Sequence, residues 1–342
     1  MGNMKIAMFT DPHFGEHNNS IEHNELLIEF INWMLDECDN HSVDRVMCLG
    51  DYFHTRNKLD VLTINYGIYG VELIKSRYDD VKFLKGNHDL YYKNSNDVSS
   101  MNILKPYVDV VDGIEVESDT GIINTAWISS AEMWDELVNK SKENSAKYIF
   151  GHFEFTNFWM NNNYKMEYGH SHKSLSHVDR VFTGHYHNRQ HTDNVVYVGT
   201  PFPFNYSDVN DPMRGFCILD TETGEYEFIN SGMNNILEID YKDFLEVGIP
   251  DNTSQIRVRI DEEVEESVYN SVQFKLNEIG LNDYKIEYTP QKIKSYIEED
   301  MSIDEVENID QFVLDFLDNS SSDDFDKEIL KRQYKGAMES ND

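Results

Sequence analysis

Through the first two thirds of the chain, short apolar runs alternate with amphipathic stretches. Ile6-Ala7-Met8-Phe9 reads as a strand that ends at Asp11. Behind Ser20, which can cap a helix, Leu27, Phe30, Ile31, Met34 and Leu35 recur on one face of a 3.6-residue period. Val46-Met47-Cys48-Leu49 predicts a second buried strand, running into Gly50-Asp51, and a helix is predicted after Asp60 with Val61, Ile64, Ile68 and Val71 along one side. Val81-Lys82-Phe83-Leu84 leads to Gly86-Asn87-His88-Asp89, and Tyr148-Ile149-Phe150 to Gly151-His152. Val181-Phe182 leads to Thr183-Gly184-His185-Tyr186-His187, and Val195-Val196-Tyr197-Val198 to Gly199-Thr200-Pro201. The rhythm is strand, glycine, then a side chain able to hold a metal. In a layered α/β fold, the crevice beyond the strand C-termini is where ligands bind.

Phe216–Leu219 and Tyr226–Ile229 flank Thr223-Gly224 and predict a β-hairpin. From about Gly232 the texture changes. Ile256–Ile260, an acidic helical stretch to about Ile279, and Tyr284–Tyr288 predict a small βαβ unit. Beyond Ser295 the chain is dominated by Asp and Glu. Ile309, Phe312, Val313, Phe316 and Leu317 stand at helical spacing, the polar run 319–323 interrupts, and Phe325, Ile329, Leu330 and Tyr334 follow on a second helix. Two short helices cannot bury both apolar faces against each other, so one face, with Phe312, Phe316, Phe325 and Leu330, is available to a partner. The expected domains are 1–232, 233–294 and 295–342.

At 342 residues, 39% hydrophobic and 13% aromatic, the chain can bury a sizeable core. Its 29 Lys and Arg stand against 63 Asp and Glu, a net charge of −34. That is the wrong sign for holding nucleic acid on a broad basic surface, so metal ions or a partner must supply positive charge if DNA is bound. Cys38, Cys48 and Cys217 form no paired motif, which excludes a disulfide framework and a thiolate zinc site. No apolar run approaches the ~20 residues of a membrane span, and the N-terminus lacks the apolar core of a signal peptide. The expected location is the cytoplasm.

The candidate metal ligands are Asp11, His13, Asp51, Asn87, His152, His185 and His187. Oxygen and imidazole donors without thiolate suit manganese, iron, magnesium or zinc at a hydrolytic centre. Two such cations about 3.5–4 Å apart clamp a phosphate ester. A carboxylate must bridge them, and Asp51, after a strand and a glycine, is placed to do so. His17, His23, His41, His170, His172, His177 and His191 lack that context and are expected on the surface or in loops. The aromatics of 153–160 either stack on unpaired bases or pack a loop, and packing is the preferred reading.

The ordered motifs DPH, GD, GNHD, GH and GHYH resemble those of the calcineurin-like metallophosphoesterases. The resemblance implies a four-layer αββα sandwich with a small α+β capping domain and a C-terminal helical tail. It implies one cation on Asp11, His13, Asp51 and His187, and another on Asp51, Asn87, His152 and His185. His88 would be the general acid and Asp89 would orient it. Gly50-Asp51-Tyr52-Phe53-His54-Thr55-Arg56 lacks the acidic-basic pair of the family's protein phosphatases. It is similar instead to the GDxFH of the DNA-repair nucleases, as Tyr197–Pro201 is to their YxG[ST]P. That branch implies His54 at the substrate and two divalent cations, manganese first and magnesium as the alternative. It also implies 3′→5′ exonuclease action on duplex and endonuclease action on single strands. Its partners would be DNA and an ABC-type coiled-coil ATPase bound by the tail, with a homodimer inside a heterotetramer. The compartment would be the host cytoplasm if a phage encodes the chain. A phosphomonoesterase of the same superfamily is the alternative.

Overall fold

The strand Lys5–Phe9 (β1) shows why the fold is layered. Ile6 and Met8 leave one face, Ala7 and Phe9 the other, and all four are fully buried. Ile6 and Met8 pack with Met47, Leu49, Leu84, Phe150, Phe182 and Val196 in a core between two sheets. Ala7 and Phe9 pack with Leu27, Phe30, Ile31 and Met34 of an outer helix. A strand covered on both faces reads as a continuous apolar run, as this one does.

In the computed structural model, residues 4–92, 94–160, 165–206, 208, 213–234, 236–250, 253, 255–262, 264–280 and 283–288 are described. The strands are β1, β2 (Arg45–Cys48), β3 (Val81–Leu84), β4 (Asp109–Val111), β5 (Ile114–Glu117), β6 (Ile122–Thr125), β7 (Tyr148–His152), β8 (Arg180–Gly184), β9 (Gln190–Thr192), β10 (Val195–Tyr197), β11 (Gly215–Asp220) and β12 (Tyr226–Asn230). They form two sheets of six, ordered β12-β11-β1-β2-β3-β4 and β5-β6-β7-β8-β10-β9. The runs β1-β2-β3-β4 and β6-β7-β8-β10 are parallel, so their C-terminal ends gather at one edge.

After the single turn α1 (Glu16–Asn19), helices α2 (Ile21–His41) and α3 (Val61–Arg77) contribute to the cover of the first sheet. Trp134 and Leu137 of α4 (Ala131–Glu143) pack on Ile149 and Val181 of the second. The architecture is the αββα sandwich. Ser20 caps α2 by accepting from the His23 N–H at 3.1 Å, and Asp60 caps α3 by accepting from Leu62 at 2.8 Å. Strands β4 to β6 and helix α4 are absent from the sequence reading. β4 closes one side of the first sheet, β5 and β6 one side of the second, and α4 supplies cover for the second.

The hairpin β11–β12 stands where the sequence places it. Beyond it, β13 (Ile236–Asp240), β14 (Gln255–Ile260) and β15 (Asp283–Tyr288) form a three-stranded sheet with helices α5 (Tyr241–Val247) and α6 (Glu266–Ile279). Contacts divide the chain into a unit of 1–258 with 271–285 and a unit of 259–270 with 286–342. Within the first, Phe244, Ile256, Val258, Val272 and Leu276 are buried, and Lys275 donates to the Phe244 carbonyl at 2.7 Å. Phe312, Phe316, Phe325 and Leu330 lie outside the described residues. Among the described residues, no helix is long and apolar enough to cross a membrane.

Candidate metal centre

Five strand ends meet at the common edge. The loops after β1 and β2 zip together through their backbones: Asp11 N–H donates to the Gly50 carbonyl at 3.0 Å, His13 to Asp51 at 3.1 Å and Phe14 to Tyr52 at 2.8 Å. To turn their side chains into the edge, Asp11, His13, Asp51 and His185 take φ of 50°, 50°, 51° and 92°. This left-handed backbone costs roughly 1–2 kcal/mol per residue outside glycine. Four such residues at one edge mark a place where the fold holds an unfavourable conformation for function. Gly86 is required by close approach, because a Cβ there would collide with the Asp51 carboxylate.

The seven candidate ligands converge. Donor atoms of Asp11, His13 and His187 lie within 4.8 Å of one another, as do those of Asp51, His152 and His185. His13 Nε2 is 3.3 Å from His187 Nε2. His152 Nε2 stands 3.3 Å from Asp51 Oδ2 and 3.2 Å from Asn87 Oδ1, and His185 Nδ1 is 2.9 Å from that same Asn87 oxygen. His152 Nδ1 faces the Leu49 carbonyl at 2.8 Å. A carbonyl only accepts, so Nδ1 carries a proton whatever the charge of the ring, and Nε2 is the atom that faces the Asp51 and Asn87 oxygens. Asp11 is fully buried and Asp51 2% exposed. Buried acceptors aimed at one another fit a cation between them.

The electrostatics measure the same demand. Burial opposes charge on His152, but Asp51 and Asp11 outweigh it and raise its pKa to about 9. Burial likewise opposes the Asp51 carboxylate, yet His152 and His13 hold it well below the usual carboxylate range. The cage calls for positive charge.

His88, His54 and Asp89 stand beside this cage. The His88 ring packs edge-on to His13 at 4.9 Å and stacks on His54 at 5.6 Å. Its Nδ1 donates to the His54 carbonyl at 2.7 Å, which leaves Nε2 to exchange a proton. Asp89 acts on the backbone of the His88 loop. Its fully buried carboxylate accepts from the N–H groups of Gly86 at 2.9 Å, Phe53 at 3.1 Å and Tyr52 at 3.4 Å, so it shapes the loop that carries His88. Burial, then the Asp51 charge, push Asp89 up to about 7 against those amides. His54 Nδ1 is 2.5 Å from Glu16 Oε2, and that contact raises the His54 pKa.

The profile of the family described as calcineurin-like phosphoesterase matches residues 4–189, more than half of the chain and the whole of this edge. The chain belongs to that family. Exonuclease subunit 1 of Enterobacteria phage T4 is 27% identical over 312 residues, covering 86% of this chain and 91% of that protein. Among solved structures, a dimetal phosphatase from Danio rerio aligns with a TM-score of 0.42 at 10% identity, over 64% of this chain and 92% of that one. The phosphoesterase Yfce from E. coli aligns at 0.30 and 10% identity, over 66% of this chain and 100% of that one.

The family works with a dinuclear metal site; among the described residues of this calcineurin-like phosphoesterase three donor groups could hold an ion, the two above and a third of His13, His54 and His88. Five residues around the phosphoesterase's centre escaped the sequence reading. Glu16 meets His54 as above, and Glu154 Oε1 lies 3.8 Å from His185 Nε2. The Trp127 ring stands 5.1 Å from His185 and 5.9 Å from His152. Phe204 packs 6.1 Å from His13 and 6.0 Å from His187, and Arg214 bonds the His187 backbone. Glu16, three residues beyond His13, and Glu154, two beyond His152, carried a local signal. His23 and His172, expected on the surface or in loops, are buried in helical turns: His23 faces the Pro12 carbonyl at 3.4 Å, and His172 pairs with Asp193 at 3.0 Å. Phe153, Phe155 and Phe158 join the core while Trp159 and Met160 are exposed, so most of that aromatic run packs.

Proposed function

We propose that this chain is a metal-dependent DNA nuclease, with 3′→5′ exonuclease action on duplex and endonuclease action on single strands. The observation that carries the reading is the convergence of Asp11, His13, Asp51, Asn87, His152, His185 and His187, with His88 and His54 stacked at its lip. The name of the phage T4 relative, an exonuclease subunit, supports the choice of nucleic acid among phosphoesters. Asp11, His13, Asp51 and His187 would hold one divalent cation, and Asp51, Asn87, His152 and His185 the other. Manganese is the proposed metal, magnesium the alternative. When bound, the pair supplies Lewis-acid stabilisation of the phosphate charge and lowers the pKa of water.

The chain's own groups do the rest. His88 Nε2, its ring set by the Nδ1–H bond to the His54 carbonyl, gives a proton to the leaving 3′ oxygen. His54, whose protonated form the Glu16 carboxylate favours, contacts the substrate phosphate. Asp89 keeps the His88 loop in place through three backbone amides.

The reading extends to the partner. An ABC-type coiled-coil ATPase binds the tail 295–342 through Phe312, Phe316, Phe325 and Leu330, and 233–294 caps the nuclease domain 1–232 and engages DNA. The net charge of −34 makes a partner's basic surface useful. The setting is recombination, repair and end processing in the cytoplasm, by a homodimer within a heterotetramer. The test is cleavage of linear duplex and of single-stranded DNA with manganese, magnesium or EDTA, beside p-nitrophenyl phosphate. DNA cleavage that needs manganese supports the proposal. Hydrolysis of the small ester with intact DNA overturns it in favour of a phosphomonoesterase.

A further inference from the structure

Arg214 is the largest side chain with almost no exposure, 1%, and it belongs to none of the sequence motifs. Its Nη1 donates to the His187 carbonyl oxygen at 2.7 Å and to the Thr200 hydroxyl. Its Nη2 donates to Asn188 Oδ1 at 2.7 Å and to Asp208 Oδ1 at 3.1 Å, which pairs the buried charge. The His187 carbonyl also accepts from the Thr200 N–H at 3.1 Å. Asp208 Oδ2 in turn accepts from the Phe204 N–H at 3.1 Å, and the Phe204 ring packs beside His13 and His187.

One guanidinium thus joins the backbone of His187, the side chain of the next residue, and Thr200 and Asp208, the latter holding Phe204 beside the cage. Two hydrogen bonds on the His187 carbonyl fix the peptide plane that follows its Cα, and with it the direction of the ring. His187 lies three residues past the end of β8, beyond the reach of that strand's sheet hydrogen bonds, so its placement depends on this network. The network also gives a physical role to Thr200 of the Tyr197–Pro201 element: it offers a buried acceptor for Arg214. The geometry points to Arg214 as the positioning residue for the His187 half of the metal centre, an inference that rests on the metal-centre reading above. A lysine cannot replace it, because a single ammonium cannot span acceptors set out for a planar fork.

The test is manganese titration of the full-length chain by calorimetry, with unfolding temperature and steady-state cleavage measured alongside. Wild type is expected to bind two ions. Arg214→Lys is expected to keep one site at wild-type affinity and weaken the other by about 10–100-fold, as loss of an outer support does elsewhere. Its kcat should fall with little change in KM for DNA and recover as manganese is raised. A folded Arg214→Lys that binds both ions as wild type does, or loses both equally, overturns the proposal. Should that variant fail to fold, Thr200→Val decides: a smaller loss confined to one site supports the proposal, and unchanged binding overturns it. Wild type that binds no manganese overturns the metal-centre reading and this inference together.

Discussion

The two sheets hold their shares of the metal edge by different means. On the first-sheet side, main chain does most of the holding: the loops after β1 and β2 share four backbone hydrogen bonds, and one side chain, the Asp89 carboxylate, gathers three amides. On the second-sheet side, side chains do the holding. Thr183 accepts from the Phe153 N–H at 2.8 Å, Arg214 grips the His187 carbonyl, and Glu154 stands near His185. Main-chain zips survive most substitutions, because every residue but proline offers the same groups. Side-chain supports do not. The first-sheet side should therefore be sensitive at its ligands and at the single carboxylate of Asp89, and the second-sheet side at several side-chain supports.

The strongest challenge to that contrast is Asp51→Asn. The change leaves the zipped backbone in place but removes the carboxylate charge proposed to serve both cations. Cleavage should fall at least about 10⁴-fold, beyond what a general acid alone supplies, and the bound manganese count should drop. If the Asp51→Asn variant still binds two ions and cleaves, the first-sheet carboxylates are structural.

Next in size is His88→Asn. Both ions should stay bound while cleavage falls roughly 10²–10⁴-fold, since the proposed ligand sets leave His88 as proton donor, although its ring also comes together with His13 and His54 in a third group of donor atoms. Loss of metal in that variant would move His88 into the ligand set. It would also make the first-sheet side less independent than its backbone suggests.

A smaller effect is expected of His54→Ala. A hydrogen bond from a charged group contributes about 1.5–3 kcal/mol, so duplex exonuclease should slow about 10–100-fold. Single-strand endonuclease should suffer less, and both ions should remain. Equal loss of the two activities together with metal would place His54 among the ligands.

The same contrast explains what could be read from sequence. On the first-sheet side a ligand and its support share one short segment, as in Gly86–Asp89, so the motif carries the chemistry. On the second-sheet side, His152 and His185 could be read from strand ends, but Trp127 and Arg214 reach the centre from far along the chain, where no spacing rule applies. Helix α2 was legible because a strong cap and a long apolar face agree. Yet His23 on its buried face was assigned to the surface or a loop by residue type, although it precedes Leu27 by one turn. Strands β4 and β5 are three and four residues long with mixed polar and apolar positions, too short to show a period. Helix α4 was legible in principle, with Ser130 as its cap and Trp134 and Leu137 on one face.

The finest test of the contrast compares supports within the second-sheet side. Glu154 Oε1 is 3.8 Å from His185 Nε2, longer than a hydrogen bond, and its side chain is 35% exposed. Arg214 makes at least four hydrogen bonds with almost no exposure. Solvent screens the first interaction and not the second. A carboxylate on the far nitrogen of a ligating imidazole raises its basicity and fixes its rotation, an effect of about 10–100-fold in metal affinity when the bond is direct. At this distance Glu154→Gln should weaken manganese at one site by no more than about tenfold, the lower end of that range. The other site should be untouched and the unfolding temperature unchanged. Calorimetric titration beside Arg214→Lys makes the ranking visible in one experiment. If Glu154→Gln costs more than Arg214→Lys, then burial and hydrogen-bond count do not rank the supports on this side. The imidazole's own electronics would then outweigh the placing of its backbone.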